Sequence, residues 1–172
     1  MKRLQCLPKE AIYGEMDSPV GVLTIITSGQ GLHAIFWESD FEDPEYRELK
    51  STLTLSQNEK ILIETKKQLV EYFQGQRKIF DLPLKLLGTD FQMQAWQQLL
   101  KIPYAQTISY GEQAERLGDK KKARAVGMAN GQNPISIVIP CHRVIGSNGQ
   151  LVGFGGGLNT KAYLLDLEKK YY

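Results

Sequence analysis

Apolar and polar residues alternate in short periods along the first half of the chain, which predicts β-strands there. Pro19–Thr27 and Gly31–Trp37 are rich in β-branched and aromatic residues and flank the turn Ser28-Gly29-Gln30. This arrangement predicts a hairpin. Ala11–Met16 predicts an earlier strand, whereas the acidic stretch Glu38–Glu48 predicts a loop.

A helix is predicted between residue 56 and Gly75. Ser56-Gln57-Asn58-Glu59 has the form of a capping box, and glycine commonly ends a helix. Four apolar residues of this segment share one helical face: Leu62, Leu69, Val70 and Phe73. Ile79–Leu87 then predicts either an edge strand or an extended linker, because Pro83 has no N–H to donate to a ladder.

The second half of the chain predicts helices separated by frequent turn signals. Thr89-Asp90-Phe91-Gln92 and Ser109-Tyr110-Gly111-Glu112 are capping boxes. Asp119 can cap a further short helix, Lys120–Asn130, and a last helix is predicted from about Thr160 to Lys169. Because the strand pattern gives way to the helical pattern near residues 82–90, we predict two domains, 1–87 and 88–172.

The two short helices predicted over residues 110–117 and 120–130 have the proportions of a helix-turn-helix. The second one carries small residues on two faces: Ala123, Ala125, Gly127 and Ala129. Two explanations stay open. The helix packs tightly against protein, or it approaches a DNA backbone in a minor groove that is too narrow for an ordinary helix. In the second case Lys120–Lys122 would meet phosphate.

The composition is that of a globular protein, with 42% apolar and 23% charged residues. The longest apolar runs are far shorter than the ~20 residues of a membrane span, so no membrane partner is expected. The only two cysteines, Cys6 and Cys141, cannot build a disulfide framework, which favours a cytoplasmic location.

Charge is divided unevenly between the two halves. Residues 1–90 carry 11 basic and 14 acidic side chains, whereas residues 91–172 carry 10 and 5. The positive excess of the second half has two interpretations. It faces an anionic partner, for which nucleic acid is a candidate, or it is a solvated surface.

The strongest candidate for a catalytic site is the segment in which Cys141 and His142 follow directly after Pro140. A thiol is a weak nucleophile until a base or a positive charge favours its thiolate. Neighbouring residues of a strand point to opposite faces, so the pair can share a pocket only where the strand ends or turns. The alternative is a buried structural cysteine beside a surface histidine. Neither a phosphatase-type loop nor a metal site has the required spacing here.

Pro140-Cys141-His142-Arg143 resembles the active-site signature of the O6-alkylguanine-DNA alkyltransferases, also called methylated-DNA–protein-cysteine methyltransferases. The similarity runs in order through five further segments: Ile108–Gly111, Ala123–Gly127, Asn130–Pro134, Gly153–Leu158 and Lys161–Glu168. The resemblance implies an α/β (α+β) fold. Its N-terminal domain would have a small, mostly antiparallel sheet with a helix, and its C-terminal helical domain would contain a helix-turn-helix.

The resemblance also implies DNA repair by a protein that reacts once, a methylated-DNA–[protein]-cysteine S-methyltransferase. The alkyl group of O6-alkylguanine, or of O4-alkylthymine, would pass irreversibly to Cys141. The base would first be flipped out of the duplex through a minor-groove helix-turn-helix. The partner would be double-stranded DNA containing O6-alkylguanine. No cofactor and no metal are expected, and the protein would act as a monomer.

By position, the resemblance implies roles for residues around the cysteine. His142 would take the proton of Cys141 through a bound water, and Glu168 would hold the imidazole in the productive tautomer. Asn133 would tie the recognition helix to the active-site loop. Tyr110 would donate a proton to the departing guanine.

Other residues would meet the DNA and the flipped base. Arg124 would enter the base stack and fill the gap left by the flipped nucleotide. The resemblance places further DNA contacts at Ala125, Gly127 and Lys122, and the pocket wall at Val144, Phe154, Gly155 and Gly156.

Three alternatives remain. A non-catalytic alkyl-lesion recognition protein of similar fold would lack Cys141, so the cysteine counts against it. A helix-turn-helix regulator would need long polar side chains on its recognition helix, where Arg124 is the only good candidate. A cysteine hydrolase would turn over repeatedly without DNA. Cys6 and His33 are interpreted as incidental, without an N-terminal zinc site.

Overall fold

The chain divides after Leu87 into two units, each with its own sheet and helices. The computed structural model describes residues 7–172. Cys6 therefore lies outside the described residues. Within residues 7–172, none of the helices has both the length and the apolar character that a membrane crossing needs.

Four strands form the sheet of the first unit. They are β1 (Ile12–Met16), β2 (Leu23–Ser28), β3 (Gly31–Trp37) and β4 (Thr54–Leu55), in the order β3-β2-β1-β4. Strands β1, β2 and β3 pair antiparallel, and β4 adds to β1 in parallel. The small, mostly antiparallel sheet and its β2–β3 hairpin are confirmed. Strand β2 starts four residues later than predicted, because residues 19–22 form the turn that leads into it.

Two helices of the first unit depart from the prediction. The stretch Glu38–Glu48 is not a loop. It forms a 3₁₀ turn and then begins α1 (Pro44–Thr52). The Asp43 carboxylate caps this helix by accepting from the Glu45 amide, and proline fits a first helical position.

The second departure is the start of α2 (Lys60–Phe73), which begins after Glu59 rather than at Ser56. The Glu59 carboxylate replaces the expected capping box, because it accepts from the amides of Ile61 and Leu62. Of the predicted apolar face, Leu62 and Leu69 are buried, whereas Val70 is exposed and Phe73 is partly buried.

The segment that follows α2 is an extended linker rather than a full strand. It makes a single bridge to the sheet, between Leu84 and Leu32. The Leu32 amide donates to the Pro83 carbonyl at 2.8 Å, and the Lys85 amide donates back to Leu32 at 2.9 Å. Pro83 thus contributes only its carbonyl oxygen, as its missing N–H requires.

The second unit is helical, as predicted. It contains α3 (Asp90–Leu99), α4 (Tyr110–Arg116), α5 (Ala123–Asn130), α6 (Gly157–Lys170) and the parallel pair β5 (Ile108–Ser109) and β6 (Val144–Ile145). Both predicted capping boxes are present. Asp119 caps a 3₁₀ segment, so the α-helix starts only at Ala123, and α6 starts three residues earlier than predicted.

Buried polar contacts set the arrangement of α3, α4 and α5. The Gln113 amide on α4 exchanges hydrogen bonds with Asn130 on α5 and donates to the Ala95 carbonyl on α3. The Trp96 indole N–H donates to the Ala129 carbonyl at 2.9 Å. These bonds hold α4 and α5 in a helix-turn-helix and join both helices to α3.

Gly31→Ala should destabilise the first unit. A Cβ at this position would clash with the Pro83 carbonyl oxygen, a backbone atom that also accepts from the Leu32 amide. Backbone cannot move aside as a side chain can, so we expect the unfolding free energy in urea to fall by about 1–3 kcal/mol. Gly29→Ala in the same turn is the control, because nothing lies within 4 Å of its Cβ. Equal losses in both variants would contradict this account.

Candidate active site

Cys141 begins a 3₁₀ turn that interrupts the extended chain ahead of β6. Pro140 precedes the turn, and the Cys141 amide donates back to the Ile139 carbonyl at 2.8 Å. Ile137, in the same loop, has φ +75°, which is strained for a β-branched residue. The chain therefore turns at Cys141 and His142, as it must if the two side chains are to face one site.

Asn133 follows the end of α5 and contacts the cysteine. Its side-chain N–H donates to the Ile139 carbonyl at 2.8 Å and to the Cys141 Sγ at 3.3 Å. Its carbonyl oxygen accepts from the Ile135 amide at 3.1 Å. All polar groups of this amide are thus used to hold the loop that carries the thiol.

The Cys141 thiol is buried, and burial raises its pKa because it disfavours the charged thiolate. Hydrogen bonds from Asn133 and Ser136 and the positive charge of Lys161 act in the opposite direction. The resting group is consequently a thiol, and its activation requires a base that removes the proton during the reaction.

That base is available one residue later. The His142 Nε2 lies 2.7 Å from Glu168 Oε1, and both side chains are fully buried. Burial lowers the pKa of His142, while the hydrogen bond and charge of Glu168 partly offset this effect. A carboxylate only accepts, so Nε2 carries the hydrogen and Nδ1 keeps the lone pair that a base needs.

Glu168 is ionised although it is buried. Burial alone would raise its pKa, but hydrogen bonds and charges from His142 and Arg143 outweigh burial and lower the pKa to about 2. Arg143 donates to the carboxylate through Nε at 3.0 Å and Nη2 at 2.9 Å, and the Ala105 amide donates at 2.9 Å. No role for Arg143 follows from the sequence resemblance, although the residue stands within the quoted signature.

Lys161 is the other residue that sequence reasoning missed. It is fully buried on α6, and its Nζ donates to the carbonyls of Val144 at 2.6 Å and Val152 at 2.8 Å. Burial lowers its pKa to about 8, and the opposite charge of a Cys141 thiolate would raise it. Helical spacing to buried Leu164 could have indicated that this lysine faces inward.

Tyr110, at the start of α4, lies near the thiol. Its hydroxyl donates to the Val152 carbonyl at 3.1 Å. Burial, and secondarily the Cys141 thiolate, raise the pKa of Tyr110, so the phenol keeps its proton. Gly127 on α5 faces this ring, and a Cβ there would lie at an ordinary contact distance, 3.7 Å, from two ring carbon atoms.

The predicted pocket residues differ in their burial and in their contacts. The Phe154 ring stands edge-on to the imidazole, with centroids 6.4 Å apart. Val144 is buried in β6, and its carbonyl accepts from Lys161. Gly155 and Gly156 lie in the turn ahead of α6 and are more open, so backbone rather than side chains borders this part of the site.

Three of the four predicted DNA-contacting residues are exposed on α5 or just before it, whereas Gly127 is partly buried against Tyr110. Arg124 and Ala125 are exposed, as is Lys122 at the end of the 3₁₀ segment. Ala129, in contrast, is buried beside Trp96. Tight packing against protein therefore explains the small residue at 129, whereas the small residue at 125 is exposed and is not explained by such packing. Met128 is 66% exposed on the same helix, and sequence reasoning did not single it out.

Metal binding receives no support from the described side chains. Among residues 7–172, no group of three or more His, Cys, Asp and Glu side chains is arranged to hold a metal ion. His33 instead hydrogen-bonds Ser28 within the first unit, at 2.9 Å.

Both units match one protein family. Residues 90–170 match the family described as 6-O-methylguanine DNA methyltransferase, DNA binding domain, and residues 11–86 match its ribonuclease-like domain. A methylated-DNA–protein-cysteine methyltransferase of Mycobacterium leprae is 47% identical, with 90% of each chain covered. One from Methanosarcina acetivorans is 40% identical, covering 91% of this chain and 97% of that one.

Solved structures of similar sequence share the fold. The Mycobacterium tuberculosis O6-methylguanine methyltransferase superposes with a TM-score of 0.85 at 43% identity, with 94% of each chain covered. The Mycobacterium tuberculosis OGT in complex with DNA superposes with a TM-score of 0.83 at 44% identity, with 92% and 93% covered.

The contribution of Glu168 to stability should be lost in acid. Its pKa in the folded protein, about 2, lies below the ordinary value of 4.5, so folding favours the ionised form. The contribution is complete above pH 4.5 and is lost as the pH falls toward 2. We expect the unfolding free energy of the second unit to decrease across this window, measured by Trp96 fluorescence in a Trp37→Phe background.

Glu168→Gln is the comparison for this prediction. The variant should start less stable, because it leaves the Arg143 charge buried without its partner. It should then lose less of its remaining stability between pH 4.5 and 2, because the titrating group is gone. The same pH slope in both proteins would show that Glu168 is not the group responsible.

Proposed function

The chain belongs to the 6-O-methylguanine DNA methyltransferase family, and we propose that Cys141 is the residue that accepts the alkyl group. The protein repairs DNA directly, with methylated-DNA–protein-cysteine methyltransferase activity. It binds DNA, and it transfers the alkyl group from DNA to one of its own cysteines. The non-catalytic alternative is not favoured, because the cysteine is present.

One observation carries the assignment of Cys141: the turn that presents the thiol continues directly into His142, which is hydrogen-bonded to a buried carboxylate. A thiol, a neutral imidazole and an orienting carboxylate are the parts of an activated nucleophile. The proton of Cys141 passes through a water to His142 Nδ1, while Glu168 accepts from Nε2–H and favours the imidazolium that forms.

The transfer then exchanges one bond for another. Cys141 Sγ forms a bond to the alkyl carbon, the bond from that carbon to O6 of guanine breaks, and its electron pair stays on the base. Tyr110 donates its hydroxyl proton to the base and recovers one from the His142 imidazolium through water. The products are a neutral guanine and a thioether, so each molecule reacts once.

Lys161 supplies the positive charge that favours the thiolate during this step. Its ammonium is held by carbonyl oxygens of β6 and of the turn ahead of α6. With a pKa of about 8 it is mostly charged at neutral pH. The transfer therefore proceeds in a buried site that already contains a compensating charge.

The open side of α5 is the surface that meets the duplex. Arg124 enters the base stack in place of the flipped nucleotide, and small Ala125 and Gly127 allow the helix to approach the minor groove. Lys122 contacts phosphate. The flipped base enters between β6 and the glycine turn, against Val144, Phe154, Gly155 and Gly156.

The substrate is double-stranded DNA that carries O6-alkylguanine, with O4-alkylthymine as a second lesion. The protein acts as a monomer, because one chain contains the nucleophile, the base and the proton donor. A cytoplasmic location suits a protein whose reacting group is a free thiol, since a reducing compartment preserves it.

Cys141→Ser should abolish methyl transfer without weakening DNA binding. A serine hydroxyl is far less acidic than a thiol and too weak a nucleophile here, whereas the residues of the DNA surface are unchanged. We expect no labelled methyl group on the protein after incubation with methylated duplex, and an unchanged Kd in a gel-shift titration. Cys6→Ser is the matched control and should transfer normally. A loss of DNA binding in Cys141→Ser would contradict the separation of roles.

Arg124→Ala should slow repair in duplex DNA more than reaction with the free modified base. The side chain offsets part of the unstacking free energy only when a nucleotide leaves a stack. We expect the single-turnover rate on duplex to fall by about tenfold or more, with little change on the free base. Arg116→Ala removes an exposed arginine from α4 as the control. Equal rate losses on both substrates would rule out the gap-filling role.

A further inference from the structure

Arg143 is a buried cation whose guanidinium contacts a carboxylate, a backbone carbonyl and an aromatic ring. Its Nε lies 3.0 Å and 3.2 Å from the two Glu168 oxygens, and its Nη2 lies 2.9 Å from Oε1. Its Nη1 donates to the Ile102 carbonyl at 2.6 Å. The guanidinium also lies over the Tyr104 ring, 5.7 Å from its centroid. Only 6% of the residue is exposed.

The same carboxylate is the partner of His142. Glu168 Oε1 accepts from His142 Nε2 and from Arg143 Nη2, so the histidine and the arginine share one oxygen. All three side chains lie in the protein interior. With a neutral imidazole the three groups sum to zero charge, whereas a protonated imidazole would leave one uncompensated positive charge in a dry site.

We propose that Arg143 is a positioning residue that keeps His142 neutral, and therefore able to act as a base, by compensating the charge of Glu168. The proposal rests on the proposed function for the role of His142 in the transfer. Without the guanidinium, an ionised Glu168 would pair with a protonated imidazole instead, because that pair is itself neutral. The carboxylate would then keep the imidazole protonated, and a protonated imidazole cannot accept the proton of Cys141.

Burial and the groups that face His142 together lower its pKa, as the proposal requires. Burial is the largest influence and lowers the pKa of His142, and the charges of Arg143 and Lys161 lower it further. Glu168 is the group that raises it. The Phe154 ring, edge-on to the imidazole, is uncharged. Arg143 is thus the cation that counters Glu168 from the turn on which His142 itself lies.

The guanidinium also fixes the orientation of the carboxylate. Two of its nitrogens reach Glu168 in a forked arrangement, which a lysine cannot reproduce. The Ala105 amide completes the set at Oε2, and this alanine adopts φ +60°, a conformation that residues with a Cβ rarely occupy. The fourth donor is therefore held in place at a cost in backbone strain.

The test compares Arg143→Met, which removes the charge, with Arg143→Lys, which keeps a cation but loses the fork. Arg77→Met is the control, because it removes an arginine paired with Glu71 at 2.7 Å in the first unit. Two quantities are measured for each protein. One is the titration of the His142 imidazole by NMR in a His33→Gln background, which leaves a single histidine. The other is the single-turnover rate of methyl transfer as a function of pH.

We expect the His142 midpoint to rise by about one pH unit or more in Arg143→Met, the size that a nearby charge produces. The acidic limb of the rate profile should move by the same amount. Arg143→Lys should titrate close to wild type, and Arg77→Met should match it. An unmoved midpoint in Arg143→Met, or a rate lowered equally at every pH, would overturn the proposal.

The proposal stays testable if a variant does not fold or if the wild-type protein transfers no methyl group. If Arg143→Met does not fold, wild type and Arg143→Lys still decide, because a wild-type His142 that is protonated at neutral pH would overturn the proposal. If the wild-type protein transfers no methyl group, the proposed function fails. The NMR titration then still tests whether Arg143 keeps the imidazole neutral.

Discussion

The second unit depends on one buried carboxylate. Glu168 accepts hydrogen bonds from His142, from the guanidinium of Arg143 and from the Ala105 amide. It thereby joins the end of α6 to the turn that carries Cys141 and to the loop that follows α3. Removal of such a group leaves a buried cation without its partner, which costs about 3–5 kcal/mol. The geometry of the nucleophile and the stability of the unit therefore have a common origin.

Helix α6 contributes two charges of opposite sign to the interior. Lys161, near its start, holds β6 and the turn at Val152 through their carbonyls. Glu168, near the end of α6, accepts a hydrogen bond from His142 Nε2. Burial raises the pKa of the Cys141 thiol, and the positive charge of Lys161 acts in the opposite direction. The cysteine consequently stays protonated and unreactive at rest, and it becomes a nucleophile only when a base accepts its proton. Burial of charged groups is costly unless they are paired, and here Lys161 is bound by carbonyl oxygens and Glu168 by Arg143.

The sequence resemblance assigned Cys141, His142 and Asn133 to one site, and the structure places Asn133 in hydrogen-bond contact with the cysteine at the turn that carries His142. Sequence reasoning missed the burial of Arg143 and Lys161, because long charged side chains normally lie at the surface. The helical spacing of Lys161 to Leu164 was a signal for one of them, whereas the burial of Arg143 follows only from its tertiary contacts. Local capping chemistry located α3 and α4 correctly. It failed at α2, where Glu59 rather than Ser56 caps the helix. At α1 the acidic residues suggested a loop, and the signal of Asp43 followed by proline was not used.

The most direct test of the account is the intact mass of the protein after incubation with a duplex that carries one O6-methylguanine. The protein should gain one methyl group and no more, however large the excess of DNA. Tryptic mapping should place it on Cys141 in the peptide Ala125–Arg143. A methyl group on another residue, more than one per molecule, or repeated release of methyl groups would contradict the account.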